Sequence, residues 1–387
     1  MGSKISIARC ESYDPSLVLA SVKKAIDSLG GITAFIKPAS KVLVKPNLLM
    51  AAIPEQAVTT HPEVVRAVIK LLKEIDCKVF VGDGPSVWGG NIENLGRVFE
   101  ATGIRKVCEE EGVTLVDFDK RRWRGQFPLT TWLDDCDYFI NIPKLKTHEL
   151  TVMTAAIKNL FGLVSGTFKT ELHKKHIDPE DFSGALVDIY KEAKPALTII
   201  DGIIAMEGDG PGTGGMPRKA DVLLAGSDCV ALDTVAALIM KIEPLNVPTI
   251  RIAFERGLGE ARPGEISLFG DKIEEVITTP FRPPSPARRG KITQLVIRVS
   301  KKFIRSNPER FVRFVKKFIK YWPYVLRKKC VRCGACVKTC PNEAISIVND
   351  RVVFDYSKCI ACFCCQEICP AAAIKVKKSL LAKMLGL

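Results

Sequence analysis

The chain has 387 residues, 47% of them hydrophobic, with 57 Lys+Arg against 43 Asp+Glu and a formal net charge of +14. That length and apolar content suffice for two packed domains and exclude a disordered chain or a small disulfide-stapled scaffold. The charge is unevenly placed: residues 281–329 hold 16 Lys+Arg and one acid, Glu309, whereas residues 1–280 hold 33 Lys+Arg against 38 acids. Three segments follow: an α/β ligand- or substrate-binding body over 1–280, a basic helical connector over 281–329, and a cysteine-rich domain with a short C-terminal helix over 330–387. No run has signal-peptide character or the length of a bilayer span, so a cytoplasmic protein is expected. The opening MGSKIS matches an N-myristoylation pattern, but KISIARC has the alternation of a first strand, and we read the match as coincidence.

Along the body, apolar β-rich runs recur as KVLVKPNLL, KVFVGDGPS, VTLVDFD, DYFINIPKL, ALTIIDGII, DVLLAGSD and EISLFGD. Helix-period stretches lie between them, among them HPEVVRAVIKLLKEI, NIENLGRVFEATGIRKVCEEE and THELTVMTAAIKNLFG. Alternation of this kind predicts an α/β fold with a mostly parallel sheet covered by helices on both faces. Such sheets bind ligands beyond the carboxyl ends of their strands.

Four segments after strands carry candidate chemistry. KPN supplies Lys45 and Asn47, and GDGPS supplies Asp83 and Gly84, which we take as candidate cofactor-binding residues. In IPKLKTHE, an extended backbone puts Lys144, Lys146 and His148 on one face, and Thr147 is placed to cap a following helix closed by Gly162. Two ammonium groups, an imidazole and a helix N-terminus then favour an anionic group, and these three residues are the candidate catalytic set. A solvated basic loop is the alternative. In the glycine-rich stretch DGIIAMEGDGPGTGGMPRKAD, Asp201, Glu207 and Asp209 are acids able to hold a metal, while GDGPGTGG, following IIAME, only loosely matches a dinucleotide fingerprint. His173 and His176 in KTELHKKHIDP stand three apart; a mobile basic loop fits them better than a two-histidine metal site. Neither a P-loop nor G-x-S-x-G occurs.

The connector shows two helical stripes split at SNP: Ile292, Leu295, Val296, Val299 and Phe303, then Phe311, Phe314, Val315, Phe318 and Trp322. Asn307 is placed as N-cap and Pro308 at the first helical position. Basic residues fill the opposite faces. The stripe either straps the tail to the body, which we favour slightly, or lies on an anionic membrane surface through 290–322, making the protein peripheral to the inner face of the membrane. Nucleic acid is a poor third partner, because no recognition module accompanies the charge.

In the tail, Cys330, Cys333, Cys336 and Cys340 stand at C-x2-C-x2-C-x3-C-P spacing, and Cys359, Cys362, Cys365 and Cys369 repeat it. This run holds [4Fe–4S] clusters, and in two-cluster proteins the fourth cysteine of each run ligates the other cluster. Cys330, Cys333, Cys336 and Cys369 are therefore assigned to one cluster, and Cys359, Cys362, Cys365 and Cys340 to the second. Zinc is the alternative, disfavoured because its sites use four ligands and not this repeat. Cys364 falls off the spacing and is read as a packing or neighbouring residue.

The tail closely resembles bacterial two-cluster ferredoxins over 330–378. In the body, VLVKPN, HPEVV, VGDGPS, NIPKLKTHELTVMTAAIKNLFG and GDGPGTGGMPRKADVLLAGSDCVALD together resemble the domain-of-unknown-function 362 family over nearly all of 1–280. Members often carry a ferredoxin-type tail and are typical of anaerobic bacteria and archaea; the family brings no established reaction. The resemblance implies that Lys45, Asn47, Asp83, Lys144, Lys146 and His148 form one site. The expectation is an iron–sulfur oxidoreductase. Two clusters pass electrons between a donor or acceptor protein and an anionic small molecule or cofactor in the body, where a second metal is left open. The alternatives are a non-catalytic electron carrier or maturation factor, whose body binds a partner protein or cofactor, and a non-redox enzyme braced by its clusters.

Overall fold

A computed structural model describes residues 2–84, 87–88, 91–92, 95–166, 168–176, 178–276, 279–284 and 321–379. The main sheet has ten strands among them: β1 (Ser3–Arg9), β2 (Lys41–Pro46), β3 (Lys78–Val81), β4 (Thr114–Leu115), β5 (Tyr138–Ile142), β6 (Lys144–His148), β7 (Val152–Thr154), β8 (Leu197–Gly208), β9 (Gly215–Gly226) and β10 (Ile266–Gly270). Their order is β10-β1-β9-β8-β5-β2-β3-β4, with β6 pairing β7 and β8 off this path. Pairings β10–β1, β8–β5, β5–β2, β2–β3, β3–β4 and β6–β8 are parallel; β1–β9, β9–β8 and β6–β7 are antiparallel. The sheet is mixed and mostly parallel, as the alternating pattern predicts.

Both faces are covered, because successive strand residues point to opposite sides. In β2, Leu43 joins the apolar cluster with helices Pro179–Glu192 and Cys229–Ile239, while Val42 and Val44 join the cluster with Pro15–Asp27 and Pro62–Lys73. A strand with two buried faces needs an unbroken apolar run, which explains KVLV. Helix Pro62–Lys73 shows how the local signals act. His61 accepts from the Glu63 amide at 3.2 Å as N-cap, Pro62 opens the first turn, and Lys70 and Lys73 sit in the last.

One segment departs from expectation. The stretch 148–162, read as a helix capped by Thr147, is a β-hairpin of β6 and β7 followed by a single helical turn, Ala156–Asn159. Lys146 pairs with Thr154 and His148 with Val152. The β-branched residues Thr147 and Thr154 fit a pleated strand, and His148 Nδ1 accepts from the Leu150 and Thr151 amides at 3.0 and 3.2 Å, closing a turn from which Val152 exits with φ 69°. The expected helix N-terminus at Thr147 is therefore absent.

The segment holding His173 is a helix, Phe168–Lys175, rather than a loop. GDGPGTGG is the turn of the β8–β9 hairpin, so it does not lie between a strand and a helix as a dinucleotide fingerprint requires. Tyr321–Val325 is a strand paired antiparallel with Ile374–Lys378, so Trp322 belongs to the cysteine-rich unit, which begins ahead of the boundary expected at 330. The remaining stripe residues of the connector, from Ile292 to Phe318, lie outside the described residues, as do Ser86 and the expected C-terminal helix. No helix among the described residues is long and apolar enough to cross a membrane.

Candidate functional site

β5 runs into β6 through Pro143, and the pairing of β6 with β8 shifts register between Lys144 and Lys146, which stand in different surroundings. Lys144 Nζ lies 2.9 Å from Asp201 Oδ2 and donates to the Tyr13 hydroxyl at 2.7 Å. Tyr13 donates in turn to Asp201 Oδ1 at 2.8 Å, the His61 amide donates to Oδ2 at 2.9 Å, and the Tyr13 and His61 rings stack 3.5 Å apart. Burial pushes the Lys144 pKa down while Asp201 holds it up. The charge of Lys144 is thus paired within the fold, and Lys144 takes no part in lining the cavity described below.

Lys45 is likewise buried and paired, 2.8 Å from Asp83 Oδ1, with Nζ also donating to the Pro46 carbonyl at 3.1 Å. Asp83 Oδ2 accepts from the Leu48 amide at 2.7 Å, which pins the chain after β2. Gly162 passes so close that a Cβ there would overlap Asp83 Oδ1 and the Lys45 side chain. Its glycine answers this close approach, not the helix end inferred from sequence.

Beyond the strand ends lies a cavity of about 60 Å³. Four candidates line it: Asn47, Asp83, Gly84 and Lys146. Lys146 Nζ donates to Asn47 Oδ1 at 2.7 Å and to the Val58 carbonyl at 2.8 Å. Burial, helped by Lys158 and Lys144, lowers its pKa to about 7. His148 sits behind this layer, its Nδ1 occupied by backbone donors, which leaves the proton on Nε2, 3.4 Å from Glu367 Oε1. Burial, with Lys158 and Lys146 nearby, takes the imidazole well below its usual range, so it is neutral and the contact is not an ion pair.

The cavity also holds Lys158 and Lys169, which sequence reasoning passed over, and His173. Lys158 comes from the turn Ala156–Asn159, whose first amides are held by Asp233 at 2.6 and 3.1 Å. Its Nζ lies over the rings of Phe161 and Phe182, 5.4 and 5.7 Å from their centroids, and burial lowers its pKa while Glu367 opposes that shift. Lys169 reaches in from helix Phe168–Lys175, donates to the Gly84 carbonyl, and is lowered to about 7 by burial. His173 stacks on Phe182 at 4.5 Å, and burial drops it to about 3; Asp233 is pushed up to about 7 by burial. The helical spacing of Lys169 and His173 (i, i+4) was the signal available in the sequence; Lys158 offered none.

The three acids of the glycine-rich stretch each have cationic partners: Asp201 has Lys144, Glu207 has Arg218 at 2.6 Å and Arg282 at 3.3 Å, and Asp209 has Lys375 at 2.8 Å. Among the described residues no three His, Cys, Asp or Glu side chains converge on a point suited to one metal ion.

The tail is a twofold repeat in three dimensions. Positive φ recurs at equivalent places, Arg332 and Ala361 (56° and 54°), Gly334 and Phe363 (76° and 60°), and Glu343 and Ala372 (50° and 48°). Each repeat turns into a short helix, Ala335–Thr339 or Cys364–Glu367, so Cys364 stands where the first copy has Ala335. The Cys336 thiol is pushed up to about 11 by burial and by its neighbours Cys369, Cys333 and Cys330. Cys365 is raised by burial and by Cys362, Cys336, Cys359 and Cys340. The fourth cysteine of each run thus sits with the first three of the other. A cavity lined by Cys330, Cys333, Cys336, Cys369 and Pro370 separates the first four sulfurs, which suits a cube with a ligand at each iron better than one zinc ion. Amides of Ala344 and Ala373 donate to Cys340 and Cys369 Sγ at 3.1 and 3.2 Å, again at matching positions.

The second repeat docks on the cavity. Cys364 and Ile368 pack with Met50, Ala52, Val58 and Met206 of the body. Thr213 Oγ1 donates to the Cys369 carbonyl at 2.5 Å, and Lys375 pairs with Asp209. Glu367, two residues from each of Cys365 and Cys369, forms part of the cavity wall. Burial raises its pKa against the pull of Lys158 and Lys146. Cys364 therefore serves the seam, as a packing residue.

Two family profiles agree with this anatomy. The family profile for the domain of unknown function 362 matches residues 42–238, and that for a 4Fe-4S dicluster domain matches residues 323–370. The chain is 34% identical over 293 residues to the thylakoid-associated protein sll1697 of Synechocystis sp., covering 72% of this chain and 89% of that protein. Among solved structures, the lactate racemase apoprotein of Thermoanaerobacterium thermosaccharolyticum aligns with a TM-score of 0.42 at 11% identity, over 62% of this chain and 57% of that one. The chain belongs to the domain-of-unknown-function 362 family and carries a 4Fe-4S dicluster domain behind its family domain.

Proposed function

We propose that the protein is an iron–sulfur oxidoreductase whose body binds a small anionic molecule in the lysine-lined cavity. The observation that carries this reading is Glu367: a residue from within the second cysteine run forms one wall of the cavity that Lys146, Lys158 and Lys169 line from the body. A bound molecule there lies against the loop that holds cluster ligands. The clusters supply one-electron transfer at potentials set by burial and by N–H···S bonds such as those of Ala344 and Ala373. Cys330, Cys333, Cys336 and Cys369 hold one cluster, and Cys359, Cys362, Cys365 and Cys340 the other.

The body residues divide the work. Lys158 and Lys169 neutralise the anion. Lys146, with a pKa near neutrality, is suited to give or take a proton at Nζ while Asn47 Oδ1 fixes its position. His148 packs behind Glu367, its Nε2 3.4 Å from Oε1. Lys144, Lys45 and Asp83 hold the strand ends in register and shape the cavity.

The test is EPR of the full chain, purified without oxygen, through a potentiometric reduction, with iron and sulfide counted on the same sample. About eight irons per chain and reversible signals are expected. Full iron with no reducible signal sinks the redox reading. Reducible clusters whose transfer to a partner protein is indifferent to Lys146→Ala, but sensitive to loss of charge in 281–320, favour a carrier.

A further inference from the structure

We infer that the face of the tail presenting Val331 and Cys333 is the docking surface for an acidic electron-carrier protein. The inference rests on the redox reading above. It names the kind of partner and where it docks, at the loop of the first cysteine run and not of the second.

The repeat makes the first argument, because its two loops fold alike and differ in what covers them. Arg332 and Ala361 share one backbone conformation, as do Gly334 and Phe363. The second loop is half-buried from Cys359 to Phe363, and its Cys362 packs against the seam with Met50, Val58 and Met206 of the body. In the first loop Val331, Arg332 and Cys333 are all exposed, Val331 at 64%. Of the eight ligand cysteines, Cys333 alone is exposed. Electron-transfer encounters use small patches, under about 1,200 Å², so one open loop and its surroundings suffice.

Charge makes the second. Beside Cys330 lies a groove of about 210 Å³ lined by Arg327, Arg332 and Arg351, with one acid, Asp350, 2.5 Å from Arg332. Exposed Lys328 and Lys329 directly precede Cys330, so five basic side chains stand against one carboxylate. The sequence leading into this loop, 281–329, holds a single acid, Glu309. The matching approach to the second run, DYSK, has one lysine and one acid. A patch of one sign steers a partner of the opposite sign into contact and rejects a partner of its own.

Shape makes the third. Val331 lies between the groove residues Cys330 and Arg332. Val348 pairs with the groove residue Arg351 across the hairpin of Ile345–Val348 and Arg351–Phe354, and is 51% exposed. Apolar side chains inside a charged margin are the anatomy of a protein interface. A groove is filled by a protruding acidic side chain or loop, which a flat lipid surface does not supply.

The experiment is anaerobic calorimetric titration of the oxidised, cluster-loaded full chain at about 20 mM salt, where surface charges are little screened. The probes are an acidic flavodoxin, a basic cytochrome c, and vesicles of phosphatidylglycerol with phosphatidylcholine. The flavodoxin should bind one per chain, and combining Arg327→Glu, Lys329→Glu and Arg351→Glu should weaken it roughly tenfold or more. Lys329→Glu alone should cost more than Lys358→Glu, which changes the same place in the second run. Iron counts show which variants keep their clusters; should the triple variant lose iron, this single pair carries the test. Flavodoxin bound no tighter than cytochrome c overturns the inference. So does flavodoxin binding that survives the triple change, or that falls equally with Lys329→Glu and Lys358→Glu, because the contact then lies elsewhere on the basic chain. Vesicle binding abolished by the triple change, with flavodoxin left unbound, also overturns it and gives the face to a membrane. EPR reduction separates the two claims. Clusters that resist reduction while flavodoxin still binds at this face leave the surface standing and remove the redox reading; reducible clusters without such binding do the reverse.

Discussion

Lys144 and Lys158 are both largely removed from water near the ends of the same strands, yet their surroundings differ. Around Lys144, an acid and a phenol pair the charge, a backbone amide holds the acid, and an imidazole stacks on the phenol. Around Lys158 there are aromatic faces, two more lysines and a cavity. The first arrangement pairs its charge within the fold, whereas the second faces a cavity with Glu367 as its nearby acid. On the function proposed above, the catalytic role expected of Lys144 therefore belongs to Lys146, with Lys158 beside it.

The sharpest way to break this contrast is to open the closed group. Asp201→Ala leaves Lys144 buried without its counter-charge and should cost about 3–5 kcal/mol in chemical denaturation. Lys158→Gln should change stability by well under half of that. Equal costs for the two would show that Lys158 is structural as well.

Gly162→Ala attacks the wall between the regions. The added methyl overlaps the Lys45–Asp83 pair, and a loss of roughly 1–3 kcal/mol is expected together with loss of anion binding. An alanine variant with unchanged stability would mean that the loop yields and the close approach is not required.

Proton linkage distinguishes the regions more finely. Lys146 and Lys169 have folded pKa values of about 7, below their unfolded range. The unfolded chain then binds more protons between pH 7 and roughly 10, so stability should rise with pH across that window. Lys146→Met should flatten the rise, as read from urea midpoints. Anion affinity should move the opposite way, falling as pH climbs through about 7 and the ammonium groups discharge. Affinity that stays level from about pH 6 to 9 would remove these lysines from the site.

The smallest effect is expected at the seam. Cys364→Ala should leave iron at about eight per chain and cost only about 1 kcal/mol of packing. The same change at Cys365, a cluster ligand, should lower iron. Loss of iron on replacing Cys364 would return it to the ligand set.

The order of strands and helices, the mostly parallel sheet and the paired cysteine runs were legible in the sequence because each rests on local information. Apolar runs and switches of period report strands and helices whatever their neighbours, and cluster ligands lie within a few residues of one another. Asn47, Asp83, Gly84 and Lys146 were legible for the same reason, since residues after parallel strands gather at one edge. The stretch 148–162 departs from expectation because its apolar spacing suits a helix, while it folds back on β6, whose own pairing with β8 is a tertiary fact. Only the folded chain decided that Lys144 is paired with Tyr13 and Asp201, far away in sequence, while Lys158 lines the cavity. It alone seated Glu367 of the tail against the lysines of the body. Composition and spacing settle which groups a chain owns, but whether a buried charge meets a partner depends on contacts between segments far apart in the chain, 57 and 131 residues for Lys144, which no local pattern encodes.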